Sequence, residues 1–299
     1  TPDSSQPVEL RDADEPSPAA DELVMDVAAA SLNRGELMLL TARPGWPPGQ
    51  DVAGIVARAA ADGSGAEVGT RVVGMADQGG WAERVAVPTR RVGIVPDHVE
   101  PGAAATLGVA GLTALRALRA AGSLLNARVL VTGASGGVGR FAVQLAALAG
   151  AEVTAAAASE DRAAGLRELG AAHLALGDDD LTPRFDVVME GVGGASLDRS
   201  LGALRPGGVV LLYGAADREP GHVSLGAFGQ APHSRIEPFF IYQTGEATFG
   251  RDLSFLAGLL GDGRLRAEIG LDVSWRETAR AIEALRNRQV RGKVVLRID

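Results

Sequence analysis

The sequence contains no cysteine. That excludes disulfides, thiol nucleophiles and every cysteine-based metal site. Lysine is nearly as scarce, since Lys293 is the one lysine among 29 basic residues. Only two tyrosines and three tryptophans occur, so each tyrosine stands out as a candidate for polar chemistry. The formal charge is −8 with no arginine run long enough to track a phosphate backbone, which disfavours nucleic acid as a partner. No apolar stretch reaches membrane length, because the longest, Leu107 to Leu125, is broken by Arg116 and Arg119. The chain opens at Thr1 on a polar, proline-bearing segment without a secretory signal, so a soluble cytoplasmic protein with no membrane contact is expected. At 299 residues it buries about three quarters of its extended surface, and two domains are the natural expectation.

What is present centres on one segment. Val129-Leu-Val-Thr-Gly133-Ala-Ser135-Gly136-Gly137-Val138-Gly139 carries a β-branched run into a glycine-rich turn. It leaves as a helix with Phe141, Leu145 and Leu148 at i, i+4 and i+7. Glycines there let a diphosphate approach the backbone, and the free N–H groups of the helix start attract the anion. The Gly-x-x-Gly-x-x-Gly spacing is looser than the usual dinucleotide fingerprint and also suits simple strand–helix packing. The strand before and helix after it favour a dinucleotide site.

A second strand, Glu152–Ala158, ends where an NAD-specific site places a carboxylate against the ribose 2′-hydroxyl; that position falls on Ala157. A small neutral residue leaves room for a 2′-phosphate, and Ser159 and Arg162 supply a hydroxyl and a guanidinium just beyond it. NADPH is favoured over NADH, although Ser159 equally suits the cap of a helix starting at Glu160.

Along the chain, residues 22–95 read as short strands with glycine punctuation: Leu23–Val27, Asp51–Val56, Thr70–Met75 and Trp81–Val87. From Pro101 helices and strands alternate, the pattern of a parallel sheet covered on both faces. Its strands are expected at Arg128–Ala134, Glu152–Ala158, His173–Leu176, Phe185–Val192, Gly208–Tyr213 and Pro238–Tyr242. An amphipathic helix follows Phe249. Ser274-x-x-Glu277 reads as a capping box for a helix with Ala279, Ile282 and Leu285 on one face. A last strand, Lys293–Ile298, is expected to join the N-terminal β region and make that domain discontinuous, with substrate in the cleft between the two.

These segments resemble the medium-chain dehydrogenase/reductase superfamily, in its zinc-free quinone oxidoreductase-like and enoyl reductase-like branch. The resemblance runs through Ser31-Leu-Asn33-Arg-Gly-Glu36, Pro48-Gly-Gln50-Asp51-Val-Ala-Gly54, Gly79-Gly-Trp81-Ala-Glu83, Val109-Ala-Gly111-Leu-Thr113 and the glycine turn. It continues through Phe185-Asp-Val-Val-Met-Glu190-Gly191-Val192-Gly-Gly194 and Arg291-Gly292-Lys293. It starts inside the family's usual first strand, so the chain is expected to begin slightly inside the domain. It implies an α/β fold with two parts. Residues 106–248 would form an NADPH-binding Rossmann domain, a doubly wound parallel sheet. Residues 1–105 and 249–299 would form a GroES-like, β-rich catalytic domain.

Zinc-dependent members look like Cys-Gly near position 33 and Gly-His-Glu where this chain has Gly49-Gln50-Asp51. The four histidines, His98, His173, His222 and His233, lie outside those motifs, so no metal is expected. Without a metal the resemblance implies NADPH-dependent hydride delivery to a quinone or an α,β-unsaturated carbonyl, where hydrogen-bond donors stabilise the developing oxyanion. By resemblance, Asn33 lies near nicotinamide and substrate, or simply satisfies a turn. Glu36 orients Asn33 or a water, or is a solvated helix charge. Gln50 and Asp51 line the cleft or hold other groups. Tyr242, in Pro238-Phe239-Phe240-Ile241-Tyr242, approaches nicotinamide or substrate together with Phe240, and Tyr213 and Gly214 end a strand at the cofactor edge. Thr113, Gly133, Ser135, Gly136, Gly137, Val138, Gly139, Gly191, Val192 and Lys293 complete the implied cofactor contacts. Lys293 is otherwise a surface cation. Relatives commonly dimerise through the sixth strand, which implies a homodimer with contacts from Pro238 to Tyr242. A non-catalytic NADPH-binding protein with a sensing, structural or RNA-binding role is the competing reading.

Overall fold

The computed structural model describes residues 8–177, 179, 181 and 184–299; the opening residues before Val8 lie outside it. In chain order the first elements are β1 (Glu22–Leu32), α1 (Arg34–Ala42), β2 (Asp51–Arg58), β3 (Arg71–Met75), β4 (Arg84–Pro88) and β5 (Val92–Ile94). Next come α2 (Pro101–Ala105), a π-helical turn at Leu107–Gly111, α3 (Leu112–Ala120), β6 (Arg128–Val131), α4 (Gly137–Leu148), β7 (Glu152–Ala157) and α5 (Glu160–Ala163). Then follow β8 (His173–Leu176), β9 (Phe185–Glu190), α6 (Gly194–Gly202), β10 (Leu204–Leu212), α7 (Leu225–Gln230) and β11 (Arg235–Pro238). The chain finishes with α8 (Phe249–Gly261), β12 (Ile269–Ser274), α9 (Thr278–Arg286) and β13 (Lys293–Arg297). Among the described residues no helix is long and apolar enough to cross a membrane.

Two compact units result. One comprises the chain up to Leu112 together with Gly245–Asp299, and the other is Thr113–Thr244. The first is built on a sheet in the order β12-β13-β1-β2-β3-β5, with β4 also paired to β1. The long first strand organises it, because β1 pairs antiparallel with β13, β2 and β4 in turn. It does so by bending at irregularities near Val24 and Val27. Opposite the bend β2 carries Gly54, where a Cβ would lie 1.9 Å from the carbonyl oxygen of Asp26, so only glycine lets the strands close. Leu23, Met25, Val52, Val72 and Val87 fill one side, and Leu32, Leu37, Ile282, Leu285, Val294 and Leu296 fill a second core.

The second unit is a parallel sheet in the order β11-β10-β9-β6-β7-β8. Leu130, Phe185, Val188, Leu204 and Val210 pack one of its faces. The order reverses beside β6, which leaves β6 and β9 as neighbours whose following turns flank the switch point, the place where such sheets bind ligands.

Several sequence expectations need correction. The sixth strand is Arg235–Pro238, not Pro238–Tyr242. Proline has no N–H for a ladder, and after Phe239 donates one bond to Leu212 the chain turns into a 3-10 segment at Ile241–Gln243. Strand β5 went unforeseen because Val92-Gly-Ile94 is three residues long. Its Gly93 permits α8 to lie against it, since a Cβ there would sit 2.6 Å from the Leu253 side chain. Ser274 does cap a helical start, but the 3-10 turn Trp275–Glu277, while Glu277 pairs with Arg280 at 2.8 Å instead of closing a box. The buried face of α9 is Thr278, Ala281, Ile282 and Leu285, with Ala279 exposed.

Candidate functional site

In the first unit, Ser31 and Asn33 alternate onto one side of β1 and its end, and Asp51 opens the neighbouring strand β2. Residue 293 opens β13, also paired with β1. Four side chains from three separate segments thus meet in the interior. Asp51 is 0% exposed, and its Oδ2 accepts from Ser31 Oγ at 3.0 Å, Asn33 Nδ2 at 2.8 Å and Lys293 Nζ at 3.2 Å. Its other oxygen accepts from the Val109 N–H in the π-helical turn at 2.7 Å. Gly108 makes that approach feasible, because a Cβ would fall 2.2 Å from Asp51 Oδ1.

The Lys293 ammonium gives its three protons to Leu32 O at 2.9 Å, Asn33 Oδ1 at 2.7 Å and Asp51. It is an internal cation and not a surface one. Asn33 is therefore held at both ends, its oxygen by an ammonium and its nitrogen by a carboxylate, which fixes the sense of the amide. One Asn33 N–H has no partner among the described residues.

Glu36, on the first turn of α1, is fully buried as well. Its Oε2 accepts from the Asn33 N–H at 2.7 Å, and its Oε1 from the N–H groups of Gly49 at 3.1 Å and Gln50 at 3.0 Å. The carboxyl thus ties the start of α1 to the loop preceding β2. Burial, reinforced by the Asp51 charge, pushes its pKa from 4.5 up to about 8, against the pull of backbone N–H donors and Lys293. An acid raised in this way binds a proton in the folded state that the unfolded chain has released. Stability is therefore expected to fall as pH rises from 4.5 to about 8 and to level off above that. Urea titrations of wild type and Glu36→Gln across this window test it: the substitution should flatten the slope, and parallel curves would contradict the assignment.

In the second unit, Gly133 takes φ +56 at the end of β6, and Gly136 caps α4. A Cβ on Gly139 would stand 2.5 Å from Gly133 O and 2.7 Å from Ala134 Cα, so the turn and the helix start form one tight cradle. Gly137 and Val138 continue the first turn of α4, and the Val192 side chain lies across Gly133, 3.2 Å from where its Cβ would be. Arg162 donates from Nε to Ser135 Oγ at 3.1 Å and from its backbone to Ser159 Oγ at 3.4 Å. Ser159 is thus the cap of α5. Ala157 ends β7 with no carboxylate in its place.

The remaining residues are dispersed. Thr113 is buried at the first position of this unit. Tyr213 donates to Thr132 O at 3.3 Å, and burial with the nearby Glu190 charge raises its pKa above the ordinary phenol value. Gly214 lets the backbone pass Gly191, since its Cβ would stand 3.0 Å from Gly191 O. Phe240 and Tyr242 are 59% and 56% exposed beside the edge strand. The sequence reading missed Glu190 and Thr132, which hold the turn after β9, and the clustered role of Ser31. Strand alternation from Ser31 to Asn33 was the one available signal.

Residues 19–97 match the alcohol dehydrogenase GroES-like domain, and residues 137–257 match the zinc-binding dehydrogenase domain. The chain belongs to the medium-chain dehydrogenase/reductase superfamily, in its quinone-oxidoreductase-like branch. It is 31% identical over 310 residues to the mycoketide-CoA synthase of Mycobacterium tuberculosis (strain ATCC 25618 / H37Rv), covering 96% of this chain. The match spans 7% of that relative's length. Escherichia coli quinone oxidoreductase complexed with NADPH superposes with a TM-score of 0.84 at 23% identity, covering 97% of this chain and 95% of that one, which shows the fold. The CurK enoyl reductase superposes at 0.82 with 25% identity, covering 97% and 94%. The zinc of the matched domain's description does not fit these residues. There is no cysteine, all four histidines are exposed, and no group of three or more metal-ligating side chains occurs among the described residues.

Proposed function

We propose that this member of the superfamily is an NADPH-dependent, metal-independent reductase that acts on a quinone or an activated carbon–carbon double bond in an enone, alkenal or enoyl thioester. The observation that carries it is the glycine cradle at Gly133–Gly139 with Arg162 held against Ser135 beside a strand end that lacks an acid. A diphosphate suits the open backbone and helix start, and a 2′-phosphate suits the guanidinium and hydroxyls of Arg162, Ser135 and Ser159. The E. coli structure's NADPH supports the same choice. The bound nucleotide supplies the hydride.

The chain's own residues supply the polar frame. Zinc-dependent relatives carry metal ligands where this chain has Asn33 and the Gln50–Asp51 pair, and here the cation joining Asn33 to Asp51 is the Lys293 ammonium. The remaining Asn33 N–H is the proposed donor to an oxyanion, already oriented before substrate arrives. Glu36 and Lys293 position that amide, and Tyr242 and Phe240 are proposed to meet substrate or nicotinamide. A second copy of the chain is the proposed neighbour of the β11 edge; light scattering should give a dimer mass, and a monomer would remove this contact.

Steady-state NADPH oxidation across quinones, alkenals and enoyl thioesters tests the activity. Arg162→Ala should raise the KM for NADPH about tenfold or more, a loss matching one charge-assisted phosphate contact, and leave NADH unchanged. Nucleotide binding with no turnover of any acceptor would favour a non-catalytic binding protein instead.

A further inference from the structure

We propose that Glu190 is a positioning residue for cofactor binding, its buried carboxylate holding the Gly191–Gly193 turn in the shape that receives the nucleotide. The inference rests on the NADPH reading above and adds to it a side chain that never touches the ligand. Glu190 ends β9, the strand beside β6 at the switch point, and is 0% exposed. Its Oε1 accepts from the N–H groups of Val192 at 2.8 Å and Gly193 at 3.0 Å. Ser196 Oγ donates to the same carboxylate at 3.1 Å and Ser200 Oγ at 2.6 Å, both from α6.

Around it the turn is satisfied on every side. The Gly191 N–H goes to Thr132 Oγ1 at 3.0 Å, and its carbonyl accepts from Ala216 N at 3.2 Å. The Val192 carbonyl accepts from Asp217 N at 2.8 Å. Gly191 has no space for a side chain, as a Cβ would fall 2.4 Å from Tyr213 Oη.

Two consequences follow. A helix start with open amides is an anion site, and the carboxylate of Glu190 already occupies the amides leading into α6. The diphosphate is therefore left to the start of α4 across the switch point. The amide protons of the turn are also committed inward, which leaves the Val192 side chain lying across Gly133 of the cradle. Thr132, one residue before Gly133, bonds the Gly191 N–H and so locks the turn to the phosphate cradle. A shift of one displaces the other.

Calorimetric titration with NADPH on wild type, Glu190→Ala, Glu190→Gln and Leu201→Ala tests this. Leu201→Ala destabilises the same helix from its buried side without touching the turn. Glu190→Ala should weaken NADPH about tenfold, and Glu190→Gln, whose amide oxygen still accepts from the turn while the serine hydroxyls reverse, should stay within about threefold of wild type. Leu201→Ala should lower Tm and leave affinity unchanged. Unaltered affinity in Glu190→Ala, or equal weakening in Leu201→Ala, overturns the proposal. If Glu190→Ala does not fold, Glu190→Asp replaces it, keeping the charge but shortening the reach by one methylene; wild-type affinity in that variant likewise overturns it. Failure of the wild type itself to bind NADPH is a separate result, which removes the cofactor reading and this inference with it.

Discussion

Replacing Lys293 by methionine is expected to cost about 3–5 kcal/mol, the penalty of leaving a buried carboxylate without its cation. Asp51 would keep Ser31, Asn33 and the Val109 N–H, but these three uncharged donors do not neutralise its charge once the ammonium is gone. Asn33 would lose the donor at its oxygen and with it the fixed sense of its amide. Turnover should fall together with stability, and Tm should drop on the order of 10 °C. The double substitution Lys293→Met with Asp51→Asn removes both charges and should recover more than half of the lost stability, so the two changes are not additive. A single-variant loss below about 1 kcal/mol in urea unfolding would show that the cluster is not an ion pair in any energetic sense.

Gly139→Val is expected to abolish useful NADPH binding, weakening it by about a hundredfold or more. Its side chain would enter a space bounded by Gly133 O, Ala134 Cα and Ala134 C, all within 2.9 Å of the Cβ. These are backbone atoms of the turn, so the loop itself must move. The helix start then retreats from the place where it meets phosphate. Gly202→Ala is the matched control, because nothing lies within 4 Å of that Cβ. Affinity within about threefold of wild type for Gly139→Val, measured by nucleotide fluorescence, would show that the cradle does not carry the cofactor.

Much of the second unit was legible because its signals are local. Val129 to Leu148 spells a strand, a turn and a helix in twenty consecutive residues, and their periods change where the structure changes. Glu152–Ala157 and His173–Leu176 were equally visible. The apolar alternation of Phe239, Ile241 and their neighbours resembled a strand, yet Pro238 removes a ladder donor and the chain turns away. The polar cluster of the first unit was hidden for the opposite reason. Lys293 lies 260 positions from Asn33, and although its strand was expected beside the N-terminal β region, no local pattern announces that its ammonium will meet Asn33 and Asp51. Glu190 looked like the polar end of an ordinary strand, since only the tertiary fold reveals how many donors point at it.

The pairing of β13 with β1 also sets a timetable for biogenesis. A ribosome makes β1 and β2, with Glu36 and Asp51 between and beside them, more than two hundred residues before Lys293 emerges. Until then the nascent sheet lacks an inner member and Asp51 has no counterion. The Thr113–Thr244 unit is continuous and complete before that moment. That unit depends on no distant segment, whereas β1 and β2 wait for β13.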